Sequence, residues 1–185
     1  MEAQKDTASA MKKAEKVKLF GHDIHGVLTP NTFYCDVEGN RRYGFWHMDG
    51  FGDLSLMANG IRIAFLDATS VDGEGYFRAK ELKLDKYYYK VDDKVAKIEE
   101  LTKELDITDE AVAYVGCEIT DLEAMKKAGL AIATADAIPE VKAAADYITS
   151  APGGRGPIRE SCEFILRSMG KWDGWVEKVT KMGYK

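Results

Sequence analysis

The chain has 185 residues, 45% of them hydrophobic, which is enough to bury one substantial core and is most simply one domain. Its 26 basic and 31 acidic residues give a formal charge of −5, and no Lys/Arg-rich block stands out, so nucleic acid is not an expected partner. No apolar stretch approaches the ~20 residues that cross a bilayer, and three widely spaced cysteines (Cys35, Cys117, Cys162) fit a reducing, cytoplasmic setting better than a disulfide framework.

Residues 1–16 are polar and lack the apolar centre of a secretion signal, so they read as a flexible leader, frayed or helical. The domain proper is expected over 17–170. An apolar run at 17–20 predicts a buried first strand. It leads into Asp23-Ile24-His25-Gly26-Val27-Leu28-Thr29, with Pro30 and Asn31 marking a turn. Residues 32–48 read as a hairpin with two aromatic-rich arms around Glu38-Gly39-Asn40. Phe33, Tyr34, Tyr43, Phe45 and Trp46 are too many aromatics for a lone ribbon to shelter, which points to packing against another subunit.

Beyond the hairpin, strands are predicted at 61–66, 86–89, 112–115 and 130–133. Helices are predicted at 51–59, 71–82, 93–105, 121–128 and 139–145. In the third of these, Val95, Ile98, Leu101 and Leu105 fall on one face at helical spacing. Strands alternating with helices predict a Rossmann-like three-layer α/β sandwich, with a mainly parallel sheet and the hairpin inserted after its first strand. Ligands of such sheets bind beyond the C-terminal strand ends. Gly153-Gly154-Arg155-Gly156 reads as a loop opening a helix from Pro157 to about Ser168. The tail, 171–185, carries Trp172 and Trp175 and is expected to dock, at a place the sequence does not specify.

Four motifs in order carry a resemblance that spans 17–172. They are Asp23-x-x-Gly26-Val27-Leu28-Thr29; Asp49-Gly50-x-Gly52; Val112-Ala113-Tyr114-Val115-Gly116 with Asp121; and Gly153-Gly154-Arg155-Gly156 with Arg159-Glu160. Together they resemble the small, capless, tetrameric branch of the haloacid dehalogenase superfamily, that of the 3-deoxy-D-manno-octulosonate 8-phosphate phosphatases. The resemblance implies Asp23 as the nucleophile that attacks phosphorus. It implies an acid/base at His25, a phosphate-binding lysine at Lys94, and a magnesium site drawing on Asp23, Glu118 and Asp121. It also implies a homotetramer joined through the hairpins, with Arg155 and Arg159 facing an anionic ligand across the subunit junction.

Three positions depart from the family pattern. His25 replaces the second aspartate. Asp67 stands where a Ser/Thr would hold phosphate, with Thr69 two residues on. Cys117 replaces the aspartate that binds metal directly. Cys117 also reads as a small buried apolar residue, and Asp121 as a helix cap.

These departures predict weakened magnesium binding and an impaired phosphatase site. One expected role is a pseudophosphatase or accessory subunit of a larger enzyme complex, comparable with the delta-type subunit associated with phenylphosphate carboxylase. The other is an active hydrolase of altered chemistry, using Asp23 and His25 on a phosphorylated sugar acid or another anionic small molecule. If Asp23, His25, Asp67, Cys117, Glu118 and Asp121 share one crevice, that set would also suit a softer divalent ion such as zinc.

Overall fold

In the computed structural model, which describes residues 7–68, 74–84 and 87–183, the apolar runs form a six-stranded parallel sheet. Its strands are β1 (Leu19–His22), β4 (Arg62–Leu66), β5 (Tyr87–Tyr88), β6 (Val112–Gly116), β7 (Leu130–Ala133) and β8 (Tyr147–Ile148), in the order β5-β4-β1-β6-β7-β8. The chain builds outward from β1 through β4 to β5, then returns to place β6, β7 and β8 on the other side. The order therefore reverses between β1 and β6, which puts a crevice at their C-terminal ends. Asp23 follows β1 there, and Cys117 follows β6.

The central strands are buried along their whole length, as expected for a parallel sheet covered on both faces. Helices α1 (Thr7–Ala14), α2 (His47–Ala58) and α7 (Pro157–Ser168) pack together, with α8 (Trp172–Met182) against α7. A second set comprises α4 (Lys94–Leu105), α5 (Leu122–Lys127) and α6 (Pro139–Ala144), while α3 (Glu74–Glu81) lies beside β5. The expected fold class is therefore present.

Several boundaries moved. Beta strand β1 runs two residues past the expected 17–20 because Gly21 accepts the Tyr114 ring against its backbone and His22 is fully buried. Helix α2 begins four residues before the expected 51. The short strand β8 went unforeseen, since two half-buried residues leave no periodic signal. Of the two forms expected for the leader, frayed or helical, Thr7–Ala14 takes the helical one, with Ala10 and Ala14 in the core. The tail docks as expected: Trp172 and Trp175 are each 7% exposed, and the guanidinium carbons of Arg159 and Arg167 lie 4.9 and 5.3 Å from the Trp172 ring centroid.

The hairpin is formed by β2 (Tyr34–Cys35) and β3 (Arg41–Arg42), antiparallel around a turn in which Asp36 accepts from the Glu38 and Asn40 amides. Of its five aromatics, Phe33, Tyr34 and Trp46 remain exposed. Tyr43 packs on His25 and Phe45 against the core.

Asp49 ties α2 to α7 from a fully buried position. It accepts from the backbone amides of Gly156 (3.2 Å) and Arg159 (2.8 Å), the first turn of a helix that offers such donors. Burial pushes its carboxyl up to about 6, the Asp53 charge adds to that, and the two amides pull the other way. A carboxyl that titrates higher folded than unfolded favours the native state while protonated. Stability from this group is thus present below pH ~4 and lost as the pH rises through about 6, by up to about 3 kcal/mol. Urea unfolding should show that decline between pH 4 and 6, and Asp49→Asn should make it shallower by the share of this one carboxyl.

Candidate active site

The crevice is assembled from strand ends. Asp23, held at the end of β1 by the hydrogen bond its backbone amide donates to the Val115 carbonyl, is 7% exposed. Lys94, the first residue of α4, reaches between two carboxylates. Its Nζ lies 3.1 Å from Asp23 Oδ1 and donates to Asp121 Oδ1 at 2.7 Å. Asp93 caps that helix through the Ala96 amide and so fixes where the lysine starts. Burial alone would lower the Lys94 pKa, but Asp23 and then Asp121 outweigh it and the value rises. Asp23 is pushed up to about 6, first by burial and then by the Asp121 charge, against the pull of Lys94.

Asp121 is fully buried and fully engaged. Its Oδ1 accepts from Lys94 and from the Tyr114 hydroxyl (2.9 Å); its Oδ2 accepts from the amides of Cys117 (2.9 Å) and Glu118 (3.2 Å). Glu118, an expected metal ligand, turns outward to accept from the Ile119 amide and caps the short helix there. Cys117 is buried, and its Sγ lies 3.4 Å from the His25 carbonyl oxygen, to which the thiol donates. Ligand atoms of Asp23, Cys117 and Asp121 all lie within 4.8 Å of one another.

His25 and Asp67 meet across the mouth. His25 Nδ1 is 3.7 Å from Asp67 Oδ1, and the Tyr87 hydroxyl donates to Asp67 Oδ2 at 3.3 Å. Asp67 is 1% exposed, while His25 keeps a partly open ring edged by Tyr43 at 4.8 Å between centroids. Thr69 lies outside the described residues. Arg155 is exposed on its loop. Arg159 holds its guanidinium carbon 4.9 Å from the Trp172 ring centroid and its Nε 3.8 Å from Glu163. Within one chain, then, neither arginine joins Asp23, His25, Asp67, Lys94, Cys117 and Asp121.

Sequence reasoning missed the tyrosines that hold the carboxylates, Tyr114 on Asp121 and Tyr87 on Asp67, because each sits in an apolar run that reads as core. It also missed His22, whose Nδ1 lies 2.8 Å from the carbonyl oxygen of Asp23 and so donates to it. The other nitrogen of that ring faces Asp53 at 3.6 Å, both groups wholly buried. A histidine beside the nucleophile, and Asp53 four residues after Asp49 on the buried face of α2, were the available signals. The loop at 153–156 closes the floor. Gly154 (φ +65°) donates to the Val27 carbonyl, and a Cβ there would come 2.1 Å from Pro30 N.

A profile of haloacid dehalogenase-like hydrolases matches residues 78–153. The 3-deoxy-D-manno-octulosonate 8-phosphate phosphatase KdsC of Escherichia coli is 34% identical over 170 residues, covering 90% of this chain and 88% of that protein. The chain belongs to the haloacid dehalogenase superfamily. Within the superfamily it falls in the KdsC-like branch. The crystal structure of the Moraxella catarrhalis phosphatase, in complex with magnesium, phosphate and KDO, superposes with a TM-score of 0.89 at 32% identity, covering 94% of this chain and 99% of that one. The cobalt-bound form of the Haemophilus influenzae phosphatase superposes with a TM-score of 0.81 at 32% identity, covering 86% and 93%. Among the described residues no helix is long and apolar enough to cross a membrane.

Proposed function

We propose that this member of the KdsC-like branch keeps the superfamily frame but does not hydrolyse ordinary phosphate monoesters at an enzymatic rate. It acts in the cytoplasm as a pseudophosphatase or as the accessory subunit of a larger enzyme complex. The observation that carries this reading is Asp67. A buried carboxylate stands where the family pattern calls for a hydroxyl donor, beside the residue in the acid/base position. An anionic nucleophile approaches an anionic phosphate only where donors and cations neutralise the charge on the phosphoryl oxygens. Here a donor has become a repelling charge, and Lys94 is already shared by Asp23 and Asp121.

The family implies a magnesium ion, and one is named in the Moraxella structure. The residues of this chain do not fit it. Magnesium takes hard oxygen ligands in near-octahedral geometry, whereas Cys117 offers sulfur, Asp121 already accepts four hydrogen bonds and Glu118 caps a helix. The pairing of His25 with Asp67 supports a second reading: an altered hydrolase in which Asp23 and His25 act as nucleophile and acid on a phosphorylated sugar acid or another anionic small molecule. Assays of phosphate monoesters with magnesium, manganese and zinc separate the two, since turnover lost in Asp23→Asn belongs to the second reading alone.

Assembly through the hairpin belongs to the same proposal. Tyr34 is 73% exposed and Val37 fully so, with Phe33 and Trp46 beside them, more apolar surface than a two-stranded ribbon keeps in water. Light scattering should give the mass of a tetramer. The double variant Phe33→Asp/Tyr34→Asp should give smaller species, and a wild-type monomer would contradict assembly through this surface.

A further inference from the structure

Three side chains seat the His25 ring. Asp67 Oδ1 lies 3.7 Å from its Nδ1, the Tyr87 hydroxyl donates to the other Asp67 oxygen at 3.3 Å, and Tyr43 meets the ring edge-on at 4.8 Å between centroids. The contacts continue outward on both sides. Phe33 backs Tyr43 at 5.8 Å with the Arg41 guanidinium over it, and Tyr76 and Tyr89 each stand 6.2 Å from Tyr87. A line of side chains therefore crosses from the hairpin to β5 and passes through His25.

The backbone beneath the ring is fixed. Gly26 takes φ +81°, where a Cβ would come 2.3 Å from Asn31 Oδ1, and a Cβ on Gly153 would stand 2.1 Å from the Gly26 oxygen. The Cys117 thiol donates to the His25 carbonyl at 3.4 Å. Movement at this position is thus left to the side chain, whose rotamer Asp67 and Tyr43 hold. With the ring in place Asp23, two residues back, is 7% exposed and Asp67 1%. His25 and Asp67 are both departures from the family pattern, so the seat belongs to this chain rather than to the pattern. A carboxylate on one edge and a phenol ring on the other suit a planar ring that carries an N–H donor.

We propose that His25 is a built-in plug: its imidazole occupies a seat for a planar N–H heterocycle between Asp67 and Tyr43, and Tyr43, carried on the hairpin, is the latch that keeps it there. Drawing the hairpin off the domain frees the ring and opens the seat. The inference rests on the altered-site reading of positions 25 and 67, but occupancy of the seat needs neither turnover nor metal, so the two fail separately.

Truncation makes the seat measurable in the full chain. His25→Gly leaves a space of imidazole size, and free imidazole should raise the Tm of that variant saturably while leaving wild type unchanged. Thiazole, a five-membered ring with no N–H, should not substitute. Adding Tyr43→Ala to His25→Gly should weaken imidazole binding roughly two- to tenfold, the worth of one aromatic pair. His25→Ala repeats the measurement with less backbone freedom should His25→Gly fail to fold. No saturable response in the truncated variant, an equal response in wild type, thiazole bound as tightly as imidazole, or an affinity unchanged by Tyr43→Ala would each overturn the proposal.

Discussion

Lys94→Met should destabilise the fold by about 3–5 kcal/mol, the usual cost of removing one partner from a buried ion pair. The lysine is 4% exposed and is the cation between Asp23 and Asp121, two carboxylates buried at the end of the central strands. Methionine fills much of the same volume, so the loss reports charge rather than packing. Asp121 would retain Tyr114 and two amides, whereas Asp23 would lose the ammonium that offsets its desolvation. For a domain of this size the expected fall in Tm is on the order of 6–20 °C. A Tm within a degree of wild type would mean that the two carboxylates are not held by Lys94.

The second large effect concerns anion binding. A unit charge pair at about 4 Å is worth about 4 kcal/mol at the effective dielectric near a protein surface. Replacing the Asp67 carboxylate with a hydroxyl should therefore raise the affinity for vanadate or inorganic phosphate by roughly 10²–10³. Asp67→Thr removes the repelling charge and supplies the donor that the family pattern calls for. Tyr87 keeps an acceptor at the new hydroxyl, and His25 loses its carboxylate neighbour. Calorimetric titration with vanadate measures the change. Equal binding by wild type and Asp67→Thr would show that position 67 does not face the anion.

Much of the architecture was legible because parallel strands buried on both faces leave continuous apolar runs. Val112-Ala113-Tyr114-Val115 and Leu130-Ala131-Ile132-Ala133 are strands in the structure, and Pro157 opens α7 as its sequence predicts. What stayed hidden were contacts made across the chain. Nothing local in Asp49 tells of the Gly156 and Arg159 amides 107 and 110 residues away, and nothing in Tyr114 tells of the carboxylate it holds. At the candidate site, the motifs singled out Asp23, Lys94, His25 and Asp67, and the structure adds the contacts of Asp23 with Lys94 and of His25 with Asp67. It also adds local partners that no motif spells out: a neighbouring amide on the Glu118 carboxylate and the Trp172 ring beside the Arg159 guanidinium.

The most direct measurement is steady-state hydrolysis of 3-deoxy-D-manno-octulosonate 8-phosphate by the purified wild-type chain in saturating magnesium, with Asp23→Asn as the control. We predict release of phosphate no faster from wild type than from the variant. Magnesium-dependent turnover at or above roughly 1 s⁻¹, the lower end of ordinary enzyme rates, and lost in Asp23→Asn, would contradict it.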